Sequence, residues 1–195
     1  MTTTMTAEEH KSRSDRSYKL LLLFAMISMI MMFAGLTSAF VVSKSRADWL
    51  KDFQLPTAFY FSTAVIIGCS VTFHLAKKAI QKDNQKATTS LLLATLALGI
   101  LFVILQFLGF SQIVANGYYF TGAESSITTT FLYIVTVVHL AHLSGGLIAL
   151  LVIIYKQLKH KYNSTQTLGI ELGAMYWHFL DLLWVYLFLF LFFFK

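Results

Sequence analysis

The sequence predicts an all-α integral membrane protein, five transmembrane helices in a bundle, N-terminus inside and C-terminus outside. Three observations carry that expectation. Of 195 residues, 57% are hydrophobic and 12% charged, where a soluble domain carries about 25% charged residues. The chain contains five apolar runs long enough to cross roughly 30 Å of hydrocarbon, which takes about 20 residues of helix. Its lysines and arginines fall unevenly on the segments between those runs.

The first span runs from about Leu20 to Val42. A cleaved signal peptide has an apolar core of only about 7–15 residues, so this longer run reads as a retained helix. The second, about Thr57 to Ala76, is the most polar, with Ser62, Thr63, Ser70, Thr72 and His74. The third spans about Ala87 to Phe110. The fourth, about Ile127 to Ile154, is about 42 Å long at 1.5 Å per residue, so it tilts or protrudes. The fifth covers about Leu172 to Phe194. Residues 1–17 form a polar tail, expected to be mobile unless the next segment ties it down. Residues 18–195 form the membrane domain, with spans at about 20–42, 57–76, 87–110, 127–154 and 172–194.

Orientation follows from the basic residues. Lys11, Arg13, Arg16, Lys19, Lys77, Lys78, Lys82, Lys86, Lys156, Lys159 and Lys161 share one side; Lys44, Arg46, Lys51 and Lys195 lie on the other. The positive-inside rule puts the richer side in the cytoplasm. The 111–125 connection has neither Lys nor Arg, which suits the outside. A net charge of +6 therefore reports topology and lipid contact, not a nucleic-acid partner. Cys69 is the only cysteine, so no intrachain disulfide forms.

Ionisable groups in hydrocarbon are costly and need a reason. His74, His139, His142 and His178 lie in spans, Asp181 is a carboxylate well inside one, and Glu171 stands at the inner mouth of the fifth helix. Glu171, His178 and Asp181, spaced by seven and three, share a helix face. Ser126, Thr129, Tyr133, Thr136 and His139 make a polar stripe that must face protein. His142 borders it, and Gly145-Gly146 permits close helix approach. His139 and His142 have the spacing of a metal or haem pair, but a helical pair alone is a weak signal. His139, His142, Glu171, His178 and Asp181 are read as a buried, structural polar cluster, with proton relay as the other reading of the Glu171/His178/Asp181 face. Counted from the inner helix ends, Asp181 lies about 14 Å deep and His142 about 18 Å. Asp181 is thus expected to meet His142, or His178 on its own helix. His74, Lys77 and Lys78 read as a lipid-headgroup site. The methionines 26, 29, 31 and 32 look like packing, and Trp49 and Phe188 to Phe194 like interfacial or lipid-facing aromatics. No phosphate loop, nucleophile elbow or zinc spacing appears.

The segment Tyr176-Trp177-His178-Phe179-Leu180-Asp181-Leu182-Leu183-Trp184 resembles the signature Y-W-H-F-x-D-x-x-W of cytochrome c oxidase subunit III, at every specified place. Glu171 matches the acidic residue upstream of it. His139-Leu140-Ala141-His142 with Gly145-Gly146 resembles the family's H-x-x-H-x-x-G-G. The runs Ser70 to Ala76 and Phe33-Ala34-Gly35-Leu36 resemble two further helix ends. The similarity runs from about Lys19 to the C-terminus and is to the five-helix bacterial form, which lacks two leading helices and keeps the N-inside orientation.

The resemblance implies a non-catalytic structural and lipid-binding subunit of a haem-copper terminal oxidase, which reduces dioxygen to water with proton translocation. It would bind subunit I and subunit II in a bacterial cytoplasmic membrane and hold phospholipid in a cleft between helix groups. Haem and copper would sit in the partner subunits, with no cofactor, metal or catalytic residue in this chain. Two departures deplete its carboxylates. Met29 follows Ser28 where the family places a carbodiimide-reactive glutamate, and Gly109 stands where a glutamate is common. A nitric-oxide-reductase or quinol-oxidase relative remains an alternative. A haem-binding membrane cytochrome and an ion-coupled transporter using Asp181 are further ones. The first of these lacks a ligand pair fixed by spacing, the second an inverted repeat.

Overall fold

A computed structural model describes residues 7–46, 49–50, 54–122, 125–164 and 166–194. Five helices account for most of them: α1 (Ala7–Val42), α2 (Thr57–Gln81), α3 (Gln85–Ala115), α4 (Ile127–Leu158) and α5 (Leu168–Phe194). All five are long and apolar enough to span a membrane, and the described residues contain no strand, only two isolated bridges.

The helix ends have local causes. Pro56 precedes the first residue of α2, where its fixed φ and missing N–H cost nothing. Asp83, at φ 54°, takes the left-handed conformation that stops a helix. Asn84 then caps α3 by accepting from the Ala87 N–H, so α2 and α3 form a tight hairpin. Ser126 and Thr129 make reciprocal capping bonds at the start of α4, and His160, at φ 52°, follows its end. Several helices continue past their apolar runs, α2 through Gln81 and α4 through Leu158, because lysine-bearing turns outside the hydrocarbon remain good helix and stop only at these caps. α1 likewise continues without a break through residues 7–17 of the polar tail; residues 1–6 lie outside the described residues. At about 54 Å it exceeds the hydrocarbon thickness.

Burial follows helical stripes. On α2 it falls at Ala58, Phe59, Ser62, Ile66, Cys69, Phe73, Ala76 and Ile80. On α3 it falls at Thr88, Leu92, Thr95, Gly99, Phe102, Gln106, Gly109 and Ile113. Gln106 donates to Ser62 at 2.9 Å and the hydroxyls of Thr72 and Thr95 lie 2.8 Å apart, which fixes these helices as antiparallel. α5 is the central helix, packed on α1, α2 and α4. α1 is peripheral: only Met26, Phe33, Thr37 and Phe40 are buried among its described side chains, and it packs on α4 and α5. In lipid such packing rests on close van der Waals fit. A Cβ added at Gly173 would run into Ile153, and one at Gly109 into the ring of Phe59.

The lysine-rich end is laced together. Gln85 donates to the Tyr162 carbonyl at 2.9 Å, Gln157 donates to Gln85, and the Ser164 N–H donates to Asp83 at 2.8 Å. Burial there pushes the Tyr162 phenol above its ordinary pKa. At the other end the Leu50 N–H donates to Thr128 at 3.1 Å, the Ala58 N–H donates to Gln112 at 3.3 Å, and Trp49 packs edge-on to Phe40.

Candidate functional site

The polar residues expected to form one cluster occupy three places around α5. No hydrogen bond or ion pair joins any two of the five among the described residues. Glu171, in the first turn of α5, accepts from Lys19 of α1 at 2.8 Å and from the Thr167 hydroxyl at 2.7 Å. Lys77 of α2 lies within electrostatic reach of it. The pair ties the peripheral helix to the central one at the lysine-rich end, as a contact between Thr37 and Tyr186 at 3.1 Å does further along.

His178 and Asp181 face α2. The His178 Nδ1 lies 2.6 Å from the Ser70 hydroxyl, and its ring is 6.1 Å from that of His74. Asp181 is 5% exposed. Neither of its oxygens has a hydrogen bond of good geometry. Its near neighbours are Ser70 and Cys69.

His139 and His142 face elsewhere. His139 is fully buried, with both ring nitrogens unbonded, among the rings of Trp184, Phe102 and Phe33 at 5.2, 6.1 and 6.5 Å. The His142 Nδ1 sits 2.8 Å from its own helix's Val138 carbonyl, and Tyr176 donates to the His142 carbonyl at 3.0 Å. The expected contact between Asp181 and His142 is therefore not formed. Gly146 lets Tyr176, Trp177 and Leu180 fill the α4–α5 seam, and Asp181, one residue further round, turns to α2.

His74 and Lys78 are exposed on the outer face of α2 and Lys77 is half-buried. The clearer receptacle lies across the bundle. A basic cavity of about 550 Å³ at the lysine-rich end is lined by Lys11, Lys19, Lys156, Lys161 and Glu171 among others. It shares Lys156, Tyr162 and Gly169 with a groove of about 480 Å³ lined by Leu22, Gly145, Val152, Leu172 and Tyr176. Charge at the mouth and apolar walls below is the shape of a phospholipid. These residues are scattered through four segments, so sequence spacing gave no signal for them. Ser70 was legible only as one turn from His74 on the same face.

The chain matches the family model described as cytochrome c oxidase subunit III over residues 2–195. The chain belongs to the cytochrome c oxidase subunit III family. Cytochrome c oxidase subunit 3 of Pelomedusa subrufa is 34% identical over 140 residues, covering 72% of this chain and 50% of that protein. The Drosophila yakuba protein of the same name is 34% identical over 137 residues, 70% and 49% of the two chains. That of Damaliscus lunatus is 28% identical over 192 residues, 92% and 70%. The chain spans about half the length of the first two relatives.

For a subunit III, the two departures now have surroundings. Met29 is half-buried on the peripheral helix. Gly109 is buried against the face of Phe59, so the volume a glutamate side chain would need is taken by an aromatic ring. The unbonded His139 is enclosed by three aromatic rings, and His142 is engaged by Val138. Among the described residues no three His, Cys, Asp or Glu gather as a metal site.

Proposed function

We propose that this subunit III is a structural and lipid-binding component of a haem-copper terminal oxidase in a bacterial cytoplasmic membrane, N-terminus inside. It supports assembly and sustained turnover of subunit I, with subunit II alongside, and carries no catalytic centre of its own. The complex reduces dioxygen to water with proton translocation, through haem and copper held by the partner subunits. The observation that carries this reading is the family match along essentially the whole chain. The aromatic enclosure of His139 supports a chain without a haem ligand.

The lipid-binding surface of this reading is the lysine-rich end. Lys156 and Lys161, with Lys11 across the cavity, supply cationic donors at headgroup level, and the α4–α5 groove takes an acyl chain. Anionic lipid gains about 1 kcal/mol per basic residue near the surface. His74, Lys77 and Lys78 form a second headgroup contact on α2.

Affinity purification of the tagged chain under mild detergent tests the reading. The expected result is co-purification of a large haem-copper subunit, while the chain stripped from its partners shows no Soret band and no stoichiometric copper. Haem at one per isolated chain refutes it. Neutralising Lys11, Lys156 and Lys161 together is expected to lower the phospholipid retained by the intact complex in native mass spectrometry. Unchanged retention there, with loss on neutralising His74, Lys77 and Lys78, moves the lipid to α2.

A further inference from the structure

The α2–α5 seam contains a line of proton-bearing groups that a purely structural subunit does not need. It begins at the exposed His74. The His178 ring lies 6.1 Å away, centre to centre, a gap that one bridging water or a rotation of the His74 ring spans. His178 Nδ1 is 2.6 Å from Ser70 Oγ, and Asp181, one turn on from His178, neighbours the same hydroxyl with no hydrogen bond formed to it. Asp181 ends the line, 5% exposed and without a well-formed hydrogen bond. An intramembrane carboxylate without a fixed partner is expensive, and such groups mark proton or ion paths more often than packing.

The electrostatic partners of Asp181 are two residues of α2. From α2 it meets Cys69, whose S–H points to the Thr95 carbonyl at 3.6 Å, and Ser70. On α3, Thr95 is given to the Thr72 hydroxyl and the Leu91 carbonyl. On α4, His142 is given to Val138. The charged groups facing the line cluster at its outer end: Lys77 lies within electrostatic reach of His178 and of Glu171, and Glu171 is paired with Lys19.

We propose that His74, His178, Ser70 and Asp181 form a proton-relay site that loads and unloads Asp181 from the lysine-rich end of the bundle. Loading is a double hop. The His178 imidazolium passes its Nδ1 proton to Ser70 Oγ as the Ser70 hydroxyl proton passes to an Asp181 oxygen. Neutral His178 and a neutral carboxylic acid result, with Ser70 unchanged and its hydroxyl turned towards His178. His178 keeps its Nε2 proton, and a turn of its ring brings the free Nδ1 to a proton delivered through His74, which restores the imidazolium. Unloading is the reverse. No oxidant, reductant or second substrate is involved, and the relay stands whether or not the chain sits in an oxidase.

The test uses the full chain in phosphatidylcholine nanodiscs. Infrared difference spectra after a pH step are expected to show a carboxylic-acid C=O band that shifts in D2O, is missing in Asp181→Asn and moves in frequency in Asp181→Glu. A positioned proton carrier contributes at least about 10²-fold to transfer, so Ser70→Ala is expected to slow the band's response at least ~10-fold. Ser70→Thr, which keeps a hydroxyl, restores it. Ser70→Ala leaves Asp181 in place and serves as the test should the Asp181 variants fail to fold. A band that persists in Asp181→Asn overturns the proposal. So does a wild-type rate in Ser70→Ala with an unchanged melting temperature, or equal slowing by Ser70→Ala and Ser70→Thr. Failure to co-purify with an oxidase would overturn the proposed function and leave these spectra unaffected.

Discussion

Replacing Gly109 with alanine separates helix propensity from packing. In an open helical position Gly→Ala stabilises by roughly 0.5–1 kcal/mol. Gly35 of α1, with nothing within 4 Å of an added Cβ, is such a position. At Gly109 the added Cβ meets Cε1 and Cδ1 of Phe59. That ring is fully buried and held edge-on by Trp184 at 5.6 Å and Phe110 at 6.4 Å, so it has no free direction to retreat. Overpacking of this kind costs about 1–3 kcal/mol, which exceeds the propensity gain. Gly109→Ala is therefore expected to destabilise by about 1 kcal/mol and Gly35→Ala to stabilise slightly, in SDS-driven unfolding from mixed micelles. Phe59→Leu alone costs about 1–2 kcal/mol through lost volume. The double variant Phe59→Leu/Gly109→Ala is expected to lie at least ~1 kcal/mol above the additive sum, since each change relieves the other. Additivity within ~0.5 kcal/mol, or a stabilised Gly109→Ala, refutes the claim that Phe59 occupies the space of the missing glutamate.

The remaining expectations concern topology and the α1–α5 tie. Cys69 is buried, so introduced cysteines report alone: Asn116→Cys is expected to label from outside the cell and Asn163→Cys only after permeabilisation, and the opposite pattern reverses the orientation. Glu171→Gln is expected to lower stability by about 0.5–1 kcal/mol, because the Lys19 and Glu171 side chains are 43% and 25% exposed and solvent screens such a pair. The loss should shrink in high salt, and a salt-independent loss would point to the Thr167 bond instead.

The five helices were legible because each run is long and predominantly apolar and none is broken by proline. The helix ends were less so, since α2 and α4 stop at left-handed Asp83 and near left-handed His160, beyond the last apolar residue. The register of His178 and Asp181 on one face was also legible. Which helix that face meets was not. It depends on how far α5 is rotated, and that rotation is set by Tyr176, Trp177 and Leu180 packing over Gly146. Glu171 illustrates the same limit: it shares the helical face of His178 but is captured by Lys19, a residue far away in sequence on α1. Grooves between helices have no sequence period at all.

The α2–α3 hairpin bears on how the chain enters a bilayer. Among the spans, α2 carries the densest set of hydroxyls; Ser62 and Thr72 find partners across the hairpin, in Gln106 and Thr95, while Ser70 and Thr63 meet His178 and Trp184 of α5. Presented to a translocon singly, α2 offers lipid several groups that lipid cannot satisfy. Joined to α3 through the short turn at Asp83 and Asn84, it delivers Ser62 and Thr72 already matched. A fusion truncated after Gln81 is thus expected to insert incompletely in a glycosylation-mapping assay, and one extended through Ala115 to insert both helices together, so that the hairpin, not the single helix, is the unit of membrane entry.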